Sequence, residues 1–155
     1  MQKITPFLWF DNNAEEAVDF YASIFKNAKV GDVTRYSEAG PGPAGSVLTV
    51  SFELEGVQFT ALNGGPHFRF NEAVSFAVAC ESQGEVDYFW DRLGAGGQIQ
   101  QCGWLKDKFG VSWQIVPTII PKLLSDPDRA RVTRVMQAVL QMKKLDIAAL
   151  EHAAA

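Results

Sequence analysis

Few residues of this chain are equipped for reactive chemistry. Its histidines are His67 and His152, and its cysteines are Cys80 and Cys102. A protein-bound divalent metal needs three or four His, Cys, Asp or Glu side chains converging at about 2 Å. His67 stands in Gly64-Gly65-Pro66-His67-Phe68 with Glu72 nearby, which makes two candidates, and His152 lies far along the chain. A lone loop histidine reads first as a solvated side chain. Cys102 is a conceivable nucleophile, but no His or Asn motif partner stands within sequence reach, so a small buried hydrophobe is the plainer reading. The two cysteines lack CxxC spacing and are too few for a disulfide scaffold, which points to reduced thiols in a cytoplasmic protein.

The elements that position these groups come from 155 residues, enough for one sizeable core. A formal charge of −4 and a pI near 5.1 speak against nucleic acid as a partner, because phosphates call for a basic stripe. Arg129, Arg131 and Arg134 form the one basic concentration, at the spacing of a solvated helix face. No apolar run approaches the roughly 20 residues of a membrane helix, and Met1 to Pro6 offers no secretory apolar region. The expectation is a cytoplasmic protein with no membrane partner.

Ile4 to Phe10 suits a strand, and Asp11-Asn12-Asn13 breaks it and supplies a helix cap, with Glu15 and Glu16 where the helix dipole favours acids. Ala14, Ala17, Val18, Tyr21, Ile24 and Phe25 recur at helical spacing, which predicts a helix over 14–26. Strands over 30–36, 47–54 and 57–62 follow, with a Gly- and Pro-rich loop over 38–46 and a Glu55-Gly56 turn. The order is β, α, β, β, β. A second copy runs from a strand over 74–80 and a helix over 84–94, ended by Gly94, Gly96 and Gly97. Strand halves over 98–105, a hairpin at 106–110 and a last strand over 111–116 complete it. Residues 16–21 match 84–89 at an offset of 68, and Gly56-Val57-Gln58-Phe59 matches Gly110-Val111-Ser112-Trp113 at an offset of 54.

The reading is one α+β domain over residues 1–155. Its parts are module 1 over about 4–63, module 2 over about 73–117 and a C-terminal helical extension over 118–155. One βαβββ module leaves a face of its sheet open, so two should pair into a curved mixed sheet of about eight strands around a cleft. Ser125-Asp126-Pro127-Asp128 starts a helix whose stripe is Val132, Val135, Met136, Val139, Leu140 and Met142, and Asp146 starts a shorter one. That stripe should cover the sheet or a second subunit.

Several stretches carry a family likeness: Ala61-Leu62-Asn63-Gly64-Gly65, Phe68-Arg69-Phe70-Asn71, Ser75-Phe76 and the run from Cys102 to Pro117. With the paired modules they resemble the vicinal oxygen chelate superfamily of glyoxalases, dioxygenases and resistance proteins. More narrowly they resemble its PhnB-like family, often labelled 3-demethylubiquinone-9 3-methyltransferase. The likeness covers roughly residues 4–124, and the tail is also similar to the family's usual ending. Methyl transfer finds no support in the residues, since no Gly-rich strand-to-helix loop is present to hold a nucleotide-like methyl donor.

The resemblance implies a test. Catalytic superfamily members bind a divalent metal through His and carboxylate ligands on the first and last strands of each module. The matching positions here are near Thr5, Ala61, Ser75 and Gln114, and shifting the register by one brings no better ligand. The expectation is no metal and no cofactor. Thr5, Ser75, Gln114 and nearby Asn63 would instead offer uncharged hydrogen-bonding groups, walled by Phe7, Trp9, Trp104 and Trp113, as in a small-molecule pocket. The same tryptophans read equally well as core, Gln114 as the partner of a buried backbone group, and Asn63-Gly64-Gly65 as a turn. Two functions stay open: a metal-free protein that binds a small, partly aromatic molecule, or a superfamily enzyme (lyase, dioxygenase or transferase) with a non-standard site. The family plan and the apolar stripe of the C-terminal helix lead to the expectation of a homodimer.

Overall fold

The computed structural model describes residues 2–155. They form two compact units, one ending at Phe70 and the other spanning Asn71–Ala155. The first contains β1 (Phe7–Phe10), α1 (Ala14–Ile24), β2 (Ala28–Arg35), β3 (Val47–Leu54) and β4 (Val57–Asn63). The second contains β5 (Ser75–Cys80), α2 (Gln83–Gly94), β6 (Gln98–Ile99), β7 (Trp104–Lys106) and β8 (Ser112–Pro117). It continues into α3 (Ile119–Leu124), α4 (Arg129–Leu140) and α5 (Ile147–Ala154).

The two sheets are ordered β1-β4-β3-β2 and β5-β8-β7-β6, the same topology strand for strand. In each, the first strand lies parallel to the last and the other neighbours are antiparallel. The fold is α+β, built of two βαβββ modules and C-terminal helices. Its strands hydrogen-bond as two open four-stranded sheets, not as one shared sheet. In each module the crossover helix carries the chain from one edge strand to the other, β1 to β2 and β5 to β6, and the hairpins then bring the last strand back beside the first.

In the first unit α1 buries Ala14, Ala17, Val18, Tyr21 and Ile24. They meet Leu8, Phe10, Val50, Phe52, Leu54, Phe59 and Ala61, the alternate residues of β1, β3 and β4. Phe52 stacks with Tyr21 at 6.2 Å and with Phe59 at 5.2 Å between ring centroids. The β3–β4 turn places Glu55 and Gly56 at φ 48° and 84°, the left-handed pair that suits a two-residue hairpin. Glu55 tolerates this because it is held at both ends. Its N–H donates to the Asn27 carbonyl at 2.8 Å, and its carboxylate accepts from the Asn27 N–H at 2.9 Å.

In the second unit α2 starts at Ser82, whose hydroxyl accepts from the Glu85 N–H, and buries Val86, Trp90 and Leu93. The middle strands are short, as the compressed second copy predicts. Between them Cys102 and Gly103 turn the chain at φ 61° and 82°. Asp107, 3% exposed, organises the loop into β8. One carboxylate oxygen accepts from the Phe109 and Val111 N–H groups at 2.9 and 3.0 Å, and the other from the Trp113 indole at 2.9 Å.

The stripe of α4 has a different partner from the one expected. Val135 and Val139 bury with Leu145 and Leu150, and α3 contributes Ile119, Ile120, Leu123 and Leu124, so the C-terminal helices mostly cover one another. Met136 and Leu140 stay exposed at 38% and 56%. The tail is fastened to the module by backbone. Cys102 and Gly103 N–H groups donate to the Met142 and Lys143 carbonyls at 2.8 Å. The Gln83 amide donates to the Leu145 carbonyl at 3.1 Å and accepts from the Ile147 N–H at 2.8 Å. Lys144 pairs with Asp87 at 3.0 Å.

Two predictions follow from these contacts. Asp107→Ala strands three donors, two of them buried, and should cost on the order of 3 kcal/mol in urea unfolding. A loss below about 1 kcal/mol would mean that the loop is held by other contacts. The second concerns acid. The Gln83 hydrogen bond and then Lys144 hold the Asp87 carboxyl below its ordinary value, so its contribution is present above the carboxylate range and lost as pH falls through the lowered value. Lys144→Met should therefore lose less stability than the parent on acidification below about pH 4, measured by thermal unfolding. Equal slopes would remove Lys144 from the effect.

Candidate functional site

Strand register decides which residues can share a site. In the first sheet Phe7 is opposite Thr60 and Trp9 opposite Leu62, while Leu8 faces Ala61 and Phe10 faces Asn63. Leu8, Phe10 and Ala61 are buried on the α1 side, so Phe7, Trp9, Thr60 and Leu62 occupy the opposite face. Ala61 is therefore displaced by one residue from the position expected of it. The repeat offset agrees, since it makes Thr60 the counterpart of Gln114. Thr5 is exposed and lies ahead of β1. Phe7 is 60% exposed, and half-buried Trp9 donates its indole N–H to the Gly65 carbonyl at 2.9 Å and meets Phe68 edge-on at 4.8 Å.

Asn63 belongs to the other face and is structurally committed. Its Oδ1 accepts from the Ala14 N–H at 2.9 Å, and its Nδ2 donates to Glu15 at 2.7 Å and to the Val47 carbonyl at 3.2 Å. It thereby caps α1 from the end of β4, because Asn13 makes no side-chain cap bond.

In the second sheet Ser75 is opposite Ser112, and Gln114 lies between Ala77 on β5 and Trp104 on β7. These residues share the face turned away from α2. Gln114 Nε2 donates to Ser75 Oγ at 2.9 Å, and Trp104 is half-buried beside it. Trp113 points the other way: it is 3% exposed, bonded to Asp107 and 5.5 Å from the Phe76 ring, hence a core residue. Of the residues expected to form a pocket, the fold gathers Ser75, Trp104 and Gln114 on one face and Phe7 and Trp9 on another. Asn63 and Trp113 are assigned to packing.

The superfamily metal does not fit these faces. The first and last strands present Phe7, Trp9, Thr60 and Leu62 in one module and Ser75, Ala77, Ser112 and Gln114 in the other, with no imidazole or carboxylate. Among the described residues no three His, Cys, Asp or Glu side chains are grouped to hold a metal ion. His67 is exposed, and Glu72 is paired with Lys106 at 2.9 Å, a bond that holds its carboxyl below the usual range. Burial, reinforced by the charge of Glu85, pushes the Cys80 thiol up to about 12. Cys102 packs against the α4–α5 cluster and is a turn residue.

Two features escaped the sequence. Ser112 Oγ is buried without a hydrogen-bond partner, and nothing in an alternating strand pattern marks one serine as orphaned. A cleft of about 460 Å³ in the first unit is lined by Asp11, Glu15, Tyr36, the 41–43 turn, Asn63 and the 64–67 segment, among others. Its one signal was the Gly- and Pro-rich stretch after Tyr36, which by itself reads only as a loop.

Comparison with known proteins places the chain. The family model described as 3-demethylubiquinone-9 3-methyltransferase matches residues 2–116. The PhnB protein of Bacillus cereus is 38% identical and superposes with a TM-score of 0.68, over 76% of this chain and 100% of its own. A Pseudomonas aeruginosa protein (20% identity, TM-score 0.62, 76% of this chain and 98% of its own) shares the fold. So does the fosfomycin resistance protein FosX of Mesorhizobium loti (12% identity, TM-score 0.53, 74% and 91%). Curated proteins give no match. The matched stretch stops before α3, so the family model does not extend to the tail that resembled its usual ending. The chain belongs to the 3-demethylubiquinone-9 3-methyltransferase family, the PhnB-like members of the vicinal oxygen chelate superfamily.

Proposed function

We propose that the chain binds a small, uncharged molecule with a flat aromatic part, held without a metal against the face of the second sheet turned away from α2. One observation carries this reading: the Gln114–Ser75 hydrogen bond beside Trp104. That bond uses one donor of the Gln114 amide and leaves its carbonyl, its second N–H and the Ser75 hydroxyl hydrogen to meet a ligand. Ala77 and Ala79, both exposed, keep the neighbouring strand low, so a ring could lie over the sheet against the Trp104 indole. A flat apolar wall with a few convergent polar groups is how small-molecule sites are commonly made. The set holds no carboxylate, imidazole or thiol, which favours holding a molecule over turning it over.

A screen of neutral and anionic aromatic compounds by tryptophan fluorescence tests the reading. Neutral compounds should bind, Trp104→Phe should remove most of the spectral response, and Gln114→Leu should weaken binding about tenfold. Binding that is indifferent to both substitutions would place the ligand elsewhere. Micromolar Zn²⁺, Ni²⁺ or Mn²⁺ should leave the melting temperature unchanged, and a rise of several degrees would contradict the metal-free reading.

We also infer a cytoplasmic homodimer, with Met136 and Leu140 as the apolar part of α4 left for a second copy. Changing both to Glu should give a monomer by size-exclusion with light scattering while folding is retained. A dimer that survives would move the contact to the sheets.

A further inference from the structure

We propose a second binding site, in the first module, that takes a small protonated aliphatic amine. It is independent of the site on the second sheet. The cleft of about 460 Å³ opens where the parallel strands β1 and β4 end side by side at Phe10 and Asn63. From there the chain leaves as Asp11 and Asn12 along one wall and as Gly64–His67 along another. The ends of parallel strands, where connections diverge, are where α/β sheets usually form crevices.

The walls are built rather than slack. The loop after β2 is closed at its neck, where the Tyr36 N–H donates to the Ser46 carbonyl at 2.9 Å and the Gly45 N–H to the Tyr36 carbonyl at 2.8 Å. The Tyr36 hydroxyl donates to the Asn63 carbonyl and ties this loop to the end of β4. A Cβ on Gly42 would stand 2.6 Å from the Tyr36 ring, and one on Gly64 would run into the Trp9 ring. Both turns are therefore packed against aromatic rings as they stand.

The lining chemistry is one-sided. Asp11, Glu15 and His67 are its ionisable groups besides Tyr36, and no Lys or Arg lines the cleft. One Glu15 oxygen accepts from Asn63 Nδ2 at 2.7 Å, which anchors the carboxylate, and among the described residues no ion pair neutralises Asp11 or Glu15. The start of α1 offsets only about half an elementary charge of these two. Ionised carboxylates only accept hydrogen bonds, so two of them favour a ligand that brings donors and positive charge together, as an ammonium group does. Pro41, Pro43, Val47 and the Tyr36 ring supply apolar surface for a short aliphatic body. Asp11, Glu15 and His67 are not grouped to hold a metal ion, whereas an organic cation carrying its own donors can span them.

The experiment uses putrescine, with 1,4-butanediol as its uncharged counterpart, in isothermal titration at low ionic strength and again at about 0.15 M salt. Putrescine should bind, more weakly at the higher salt, and the diol should not. Asp11→Asn and Glu15→Gln should each weaken putrescine about threefold, as partly exposed charges do, with Asp11→Asn leaving the melting temperature unchanged. Gln114→Leu should leave putrescine binding intact, which separates this site from the one on the second sheet. Equal binding of the diol, no putrescine binding at millimolar concentration, or an unaffected Asp11→Asn variant would each overturn the proposal.

Discussion

A four-stranded sheet with one crossover helix can be covered by that helix on one face only, and this constraint governs both modules. Every strand residue is thereby assigned to the helix or away from it, and a shift of one position reverses the assignment. In the first module the rule sends Leu8, Phe10, Phe59 and Ala61 to α1 and leaves Phe7, Trp9, Thr60 and Leu62 opposite. In the second it sends Leu105, Trp113 and Ile115 to α2 and leaves Trp104, Ser75 and Gln114 together. The character of the candidate site is a consequence of that parity.

Asn63 and Asp107 show what fixes the parity in place. Each is a polar residue that is almost fully buried, and each satisfies its whole neighbourhood. Asn63 bonds α1, Glu15 and the start of β3, and Asp107 bonds its own loop and an indole. A buried polar group with every partner in place allows one arrangement and penalises slippage. Both sit just past or at the end of a strand, where a register error would begin.

Much of this was legible in advance. The order of elements, the duplication, the Glu55-Gly56 turn and the Asp128 and Asp146 helix starts follow from local chemistry that the sequence displays directly. The Gly56/Gly110 match even gave the offset that pairs Thr60 with Gln114. What could not be read was long-range. Trp104 and Trp113 have the same composition-level signature, and only strand register separates a half-buried wall from a core ring. Asn63 looked like part of a Gly-rich turn because its partners lie 16 to 49 residues away. The α4 stripe announced that something must cover it, but not that α3 and α5, from its own chain, would do so.

The grip of Gln83 and Lys144 on the tail bears on how the duplication has aged. Two copies of one module begin as equals, each a folding unit of similar size. Here one copy carries three helices bonded to its turn and to its helix start, and among the described residues the other carries no such tail. Opening the second module breaks these bonds to the tail, so it should be a larger cooperative event than opening the first. The symmetry that remains visible in strand order does not extend to the bonds that tie one module to a tail.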